Sequence, residues 1–204
     1  QQIKKQFEHY LDPRQVKRLQ KEPNLLKLGG ELRYCTFLFT DLRGFTSMSE
    51  KMTPEEVAEI MNTTLTVQVE EIQRSGGMVD KFIGDACMGI FSAPLELPEH
   101  ENRAVEAAVR IQDRIKKLNQ VMEAEIAIGV GLQSGWACVG NMGSSTRFDY
   151  TAIGNCVNEA ARYESSTKEV GVDIIIGYET AQNCKYLLKE LDPIRVKGKQ
   201  DKLR

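Results

Sequence analysis

The sequence predicts an α+β fold, a mixed or antiparallel sheet with helices packed against it. Three observations carry that prediction. Short β-rich runs punctuated by glycine recur from Arg33 onward. Two longer stretches repeat apolar residues at helical spacing. Helices and strands alternate, but without the strict βαβ repeat of a doubly wound sheet. With 204 residues, 41% of them hydrophobic and 27% charged, the composition is that of a globular protein with one large core.

In chain order, residues 1–30 are polar, with leucines at loose helical spacing interrupted by Pro13 and Pro23. They read as a connector closed by Gly29-Gly30, able to form a short helix but no core of its own. Residues 31–204 form the main domain. Its first strand, RYCTFLFTD, ends in Asp41, and Gly44 permits a sharp turn just beyond. Thr53-Pro54-Glu55-Glu56 is a strong helix start, with a capping Thr, Pro at the first position and Glu at the third. Apolar residues continue that helix to about Arg74, where Gly76-Gly77 ends it.

Met78 to Phe91, MVDKFIGDACMGIF, reads as two buried strands joined by a tight turn at Gly84-Asp85, whose first central residue needs positive φ. Residues from about Glu101 to Leu118 give the clearest amphipathic helix. EIAIGVG (Glu125 to Gly131) alternates large apolar with small residues, as a strand packed closely on one face would. WACVG (136–140) reads as a separate strand, and the polar NMGSSTRFD leads on to YTAIG. A helix from Asn155, a short strand over Asp173 to Gly177, a helix from Glu179 and a basic strand PIRVKGK complete the chain.

Charge and cysteine usage narrow the function classes. A net charge of −2 and pI near 5.9 argue against nucleic-acid binding through a broad basic face. No apolar run approaches the ~20 residues of a membrane span, so no membrane contact is expected of this segment. An upstream anchor in a longer parent protein is compatible with it. The five cysteines are odd in number and widely spaced; Cys35, Cys87 and Cys138 fall in apolar runs, as small hydrophobes do. A reducing cytoplasm suits them. His9 and His100 have no Cys set with which to build structural zinc.

Two carboxylates sit at strand ends, Asp41 after the first strand and Asp85 at the hairpin tip. If the hairpin lies beside that strand they converge, and a pair with oxygen-only partners suits Mg²⁺ or Mn²⁺ acting on phosphates. Asn158 and Arg162 are four apart and share a helix side, and Arg is suited to bracing a phosphate. Each residue also has a plain explanation: a turn for either Asp, a surface ion pair with Glu159 or Glu164 for Arg162, edge-strand charges for Lys197 and Lys199.

Taken together and in order, FLFTDLRGFT, GGMVDKFIGDACMGIF, YTAIGNCVNEAAR and VKGK resemble the catalytic domain of class III adenylyl and guanylyl cyclases, over essentially Glu31 to Lys199. The resemblance implies a ferredoxin-like cyclase fold and a role for each matching position. Asp41 and Asp85, with the backbone at Leu42, match the site for two Mg²⁺ or Mn²⁺ ions. Lys81 and Thr151 match the purine-reading pair, Asn158 the ribose-positioning residue, Arg162 the transition-state Arg and Lys197 the holder of the terminal phosphates. Lys with Thr resembles a bacterial adenylyl cyclase subgroup that is often bicarbonate-responsive, so ATP is the expected substrate and bicarbonate an expected effector. The family's head-to-tail pairing implies a homodimer with two shared sites. The leading LDPRQVKRLQ resembles the joint to upstream sensory modules. Guanylyl cyclase activity, a nucleotide-sensing module without turnover, and a polymerase-like palm domain are the rival readings. Glu159, beside Asn158, has no functional account at this level.

Overall fold

The structure, a computed structural model, describes residues 2–7, 9–22, 28–195 and 202–203. Two short helices come first, α1 (Gln2–Phe7) and α2 (Pro13–Lys21). They are followed by β1 (Gly29–Leu42), α3 (Phe45–Ser49), α4 (Pro54–Arg74), β2 (Met78–Ile83), β3 (Ala86–Phe91) and α5 (His100–Met122). Then come β4 (Ile128–Gly143), β5 (Phe148–Ile153), α6 (Asn155–Val170), β6 (Ile174–Ile176), α7 (Tyr178–Gln182), β7 (Ile194–Arg195) and β8 (Lys202–Leu203). Among the described residues, six strands form one sheet in the order β2-β3-β1-β4-β5, with β6 parallel to β4; all other pairings in it are antiparallel. This is the α+β arrangement predicted.

Alternation along the central strands sorts the core into two faces. Leu38 and Leu42 of β1 join Ile128, Val130 and Leu132 of β4 under α4 and α5. Cys35 and Phe37 point the other way, to Ala137, Val139 and the inner side of α6. Helix α4 begins as its sequence requires: Thr53 Oγ1 accepts from the Glu56 amide, and the Glu56 carboxylate accepts from the Thr53 amide. Gly84, at φ 63°, makes the predicted turn of the β2–β3 hairpin.

Several expectations need correction. The strands read separately at residues 125–131 and 136–140 are one strand, β4. Gln133 and Ser134 look like a break, but their polar atoms are satisfied inside: Ser134 Oγ lies 2.7 Å from Thr36 Oγ1 and 2.8 Å from Thr180 Oγ1. Thr36 Oγ1 also meets His100 Nδ1 at 2.7 Å. Phe82 and Ile83 are 52% and 53% exposed rather than buried, because β2 is an edge strand and they lie at its tip. Cys138 is exposed, beside Trp136 at 63%, where β1 and β4 run past the end of the α4–α5 layer. Strand β1 begins at Gly29, so those glycines open the sheet rather than close the connector. Residues 23–27 and the VKGK segment with Lys197 and Lys199 lie outside the described residues.

The connector is not loose. Arg14 donates to the carbonyls of Gly77 and, at 2.9 Å, Gln73. Asp12 accepts from the Val79 amide at 3.2 Å, and Arg18 reaches Tyr150 Oη at 3.4 Å. Helix α2 thus touches both edge strands, β2 and β5, of the main sheet.

Candidate active site

The register of β1 against β3 pairs Thr40 with Cys87. The next residue of β1, Asp41, is therefore brought to the hairpin tip that carries Asp85. The two carboxylates do converge: Asp41 is desolvated and lies beside the Asp85 charge, and these effects push its carboxyl up to about 6. The Leu42 amide donates to Asp41 and opposes that rise, while the Leu42 side chain is buried in the core. Asp41 Oδ1 is buried with no hydrogen-bond partner among the described residues. A buried, unsatisfied anionic oxygen beside a second carboxylate is an arrangement that a divalent cation completes.

A third carboxylate, not singled out from the sequence, stands over this pair. Asp41 lies opposite Gly129 in the β1–β4 ladder. A methyl group on Gly129 would come within 3.3 Å of Glu164 Oε1 on α6. Desolvation, then the Asp41 charge, push the Glu164 carboxyl up to about 7, with Arg43 acting in the opposite sense. No spacing rule flags Glu164, since its nearness to Asp41 depends on α6 crossing β4 at two glycines. Gly131 is the second, where a methyl group would run into Ala160 O and the Glu164 amide.

Helix α6 turns Ala160 and Glu164 to the sheet, so Asn158 and Arg162, each two residues away, project from the opposite side. Asn158 is exposed and Arg162 half-buried. Glu159 accepts from Gln133 Nε2 at 3.0 Å, and the same amide reaches Glu179 at 2.8 Å. Its place is thus a structural tie between α6, β4 and α7.

The second cluster joins residues far apart in the strand order. Although β2 and β5 are the outer strands, Met78 and Met88 share an apolar cluster with Ala152 of β5, so the sheet curls over that face. Lys81 Nζ lies 3.0 Å from Thr151 Oγ1, bringing the two sequence-predicted purine readers together. Asp80 completes the group and was not anticipated. Thr151 Oγ1 donates to Asp80 Oδ2 at 3.1 Å, and Lys81 Nζ is 3.4 Å from the same oxygen. The strand is irregular here, Val79 pairing with Gly89 and Lys81 with Met88, so Asp80 is the extra residue of a bulge. A bulge lets successive side chains reach one site where a regular strand sends them to opposite faces. Desolvation dominates the Asp80 carboxyl and pushes it up to about 6, with Lys81 and Thr151 holding it down.

The family model described as the adenylate and guanylate cyclase catalytic domain matches residues 30–204. An adenylate cyclase of Anabaena cylindrica is 34% identical over 182 residues, covering 83% of this chain and 35% of that protein. The crystal structure of the adenylyl cyclase CyaB from P. aeruginosa superposes with a TM-score of 0.79 at 30% identity, covering 86% of this chain and 93% of that one. The guanylyl cyclase Cya2 is as similar, with a TM-score of 0.78 at 32% identity over 86% and 91% of the two chains. The chain spans about a third or less of the length of curated relatives it matches. Among the described residues no helix is long and apolar enough to cross a membrane.

Proposed function

This chain belongs to the adenylate and guanylate cyclase catalytic-domain family, and on that premise we propose that it converts ATP to 3′,5′-cyclic AMP and pyrophosphate. The observation that carries the choice of ATP is the Lys81–Thr151 contact at 3.0 Å. It sets a cationic donor beside a hydroxyl that can accept, the complement of adenine's ring-nitrogen acceptor and amino donor.

In this reading the ribose 3′-oxygen bonds to the α-phosphorus as the bond to the bridging oxygen breaks, and the hydroxyl proton passes to water. Asp41 and Asp85, with the backbone at Leu42, would hold two divalent cations, Mg²⁺ or Mn²⁺. When bound, such ions lower the pKa of the attacking hydroxyl and screen the phosphates. Arg162 meets the charge developing at the α-phosphate, Asn158 positions the ribose, and Lys197 holds the terminal phosphates.

The α6 geometry supports a homodimer with shared sites. Glu164 faces the Asp41 cluster, whereas helical spacing sets Arg162 on the other side of α6; in this reading Arg162 serves a site whose carboxylates come from a partner copy. The setting is cytoplasmic signalling, with bicarbonate as an effector tied to Thr151; a rate unchanged by bicarbonate at fixed pH removes that element. Product identification from ATP and GTP, with Mg²⁺ and with Mn²⁺, is the decisive experiment. Cyclic AMP from ATP in excess over cyclic GMP from GTP is the expected outcome. Predominant cyclic GMP would make the domain a guanylyl cyclase, the reading favoured by its similarity to Cya2. Binding of both nucleotides without product would make it a sensing module.

A further inference from the structure

A free threonine hydroxyl is a poor discriminator, since it can donate to guanine O6 as readily as it accepts from the adenine amino group. Thr151 is not free in this sense. We infer that Asp80 is a specificity-determining positioning residue, which fixes the Thr151 hydroxyl as an acceptor toward the base and so selects adenine over guanine. The inference rests on the reading that Lys81 and Thr151 face the purine.

Hydrogen-bond bookkeeping carries the argument. A hydroxyl has one proton and two lone pairs. Thr151 gives its proton to Asp80 Oδ2 at 3.1 Å, and Lys81 Nζ takes one lone pair at 3.0 Å. One lone pair remains for a ligand. Lys81 commits one N–H to Thr151 and directs another toward Asp80 Oδ2 at 3.4 Å, leaving a third. The trio therefore presents one acceptor beside one donor. Adenine offers the complement, an amino donor beside the N1 acceptor. Guanine in the same pose offers the O6 acceptor and the N1–H donor, which oppose both groups.

Two features make Asp80 the fixed member of the trio. Its side chain is only 2% exposed, against 37% for Lys81, so water does not compete for its oxygens. The bulge at position 80 aims it at Thr151 from the same strand that carries Lys81. An ionised carboxylate has no proton to return, so the Thr151 hydroxyl cannot reverse while Asp80 is charged. An amide at this position keeps the shape but offers a donor as well as an acceptor, and frees the hydroxyl to turn.

The test compares kcat/KM for ATP and GTP in the wild-type domain, Asp80→Asn, Thr151→Val and the double variant. Asp80→Asn is expected to lower the ATP:GTP ratio about tenfold, the worth of one mismatched hydrogen bond, and to have no further effect once Thr151→Val has removed the hydroxyl. If Thr151→Val changes the ratio and Asp80→Asn does not, the role of Asp80 is refuted while the purine-reading pair stands. A ratio unchanged by Thr151→Val refutes the purine-reading assignment itself. A measurement on the wild type covers a variant that does not fold. N6-methyl-ATP keeps an N–H at the 6-position, and its 6-methoxypurine isostere has an ether oxygen there, with N1 an acceptor in both. Turnover of the amine about tenfold faster is expected; equal turnover overturns the inference.

Discussion

Replacing Gly131 with alanine should lift α6 from β4. The new methyl would sit 2.2 Å from the Glu164 amide nitrogen, 2.4 Å from Ala160 O and 2.8 Å from Glu164 Cα. All three are backbone atoms of one helix, so no rotamer change relieves the clash. Restoring ordinary van der Waals separation needs a retreat of roughly 1 Å. Overpacking of this kind costs about 3 kcal/mol, which for a domain of this size lowers Tm by roughly 6–12 °C. The same retreat displaces Asn158 and Arg162, and a misplacement of about 1 Å at a reacting group costs on the order of 100-fold in turnover. Gly89→Ala is the control, because its methyl would meet the end of the Ile72 side chain, Cδ1 at 3.2 Å, which can yield. Its cost should stay below about 1 kcal/mol. Urea unfolding, with cyclic nucleotide formation measured well below both melting points, distinguishes the two. A Gly131→Ala variant within about 0.5 kcal/mol of wild type and fully active would refute this account of how α6 is seated.

Three further outcomes are expected. Asp85→Ala and Arg162→Ala, each inactive alone, should on equal mixing recover about a quarter of wild-type activity, since half the dimers are mixed and each holds one intact site; no recovery would exclude shared sites. The carboxyls of Asp41, Asp80 and Glu164 are held above their ordinary range, to about 6, 6 and 7. At these three groups the folded chain keeps protons that the unfolded chain has released, so the stability they contribute is greatest at low pH and falls as pH rises from about 4 to 7. Denaturant midpoints at pH 5 and 7.5 without divalent ions check this, with Mn²⁺ expected to narrow the gap; a midpoint that rises across the window contradicts it. Arg14→Ala removes the donors to the Gly77 and Gln73 carbonyls and should cost about 1–2 kcal/mol, read as a lower Tm. An unchanged Tm would mean that α2 is not held by that contact.

What the sequence determined by itself was local or cumulative. The capping box at Thr53 and the turn at Gly84 are written in adjacent residues and formed as read; the large–small alternation before Gly131 marked a closely packed strand but not its bounds. The order of four motifs was enough to indicate the cyclase family, now supported by the match over residues 30–204. Burial at the sheet's margins was not legible. Phe82, Ile83 and Cys138 are apolar residues in strands, and only the strand order and the reach of the helices decide which faces stay uncovered. The polar pair Gln133-Ser134 reads as a break until its partners arrive from β1, α6 and α7. Asp80 and Glu164 belong to the same class. One depends on a bulge that shifts the pleat by a residue, the other on a helix crossing two glycines, and neither leaves a periodic signal in the chain. Lys81 and Thr151 could be named from their motifs. The carboxylate that ties them together was decided only when the sheet curled and brought its two edge strands into contact.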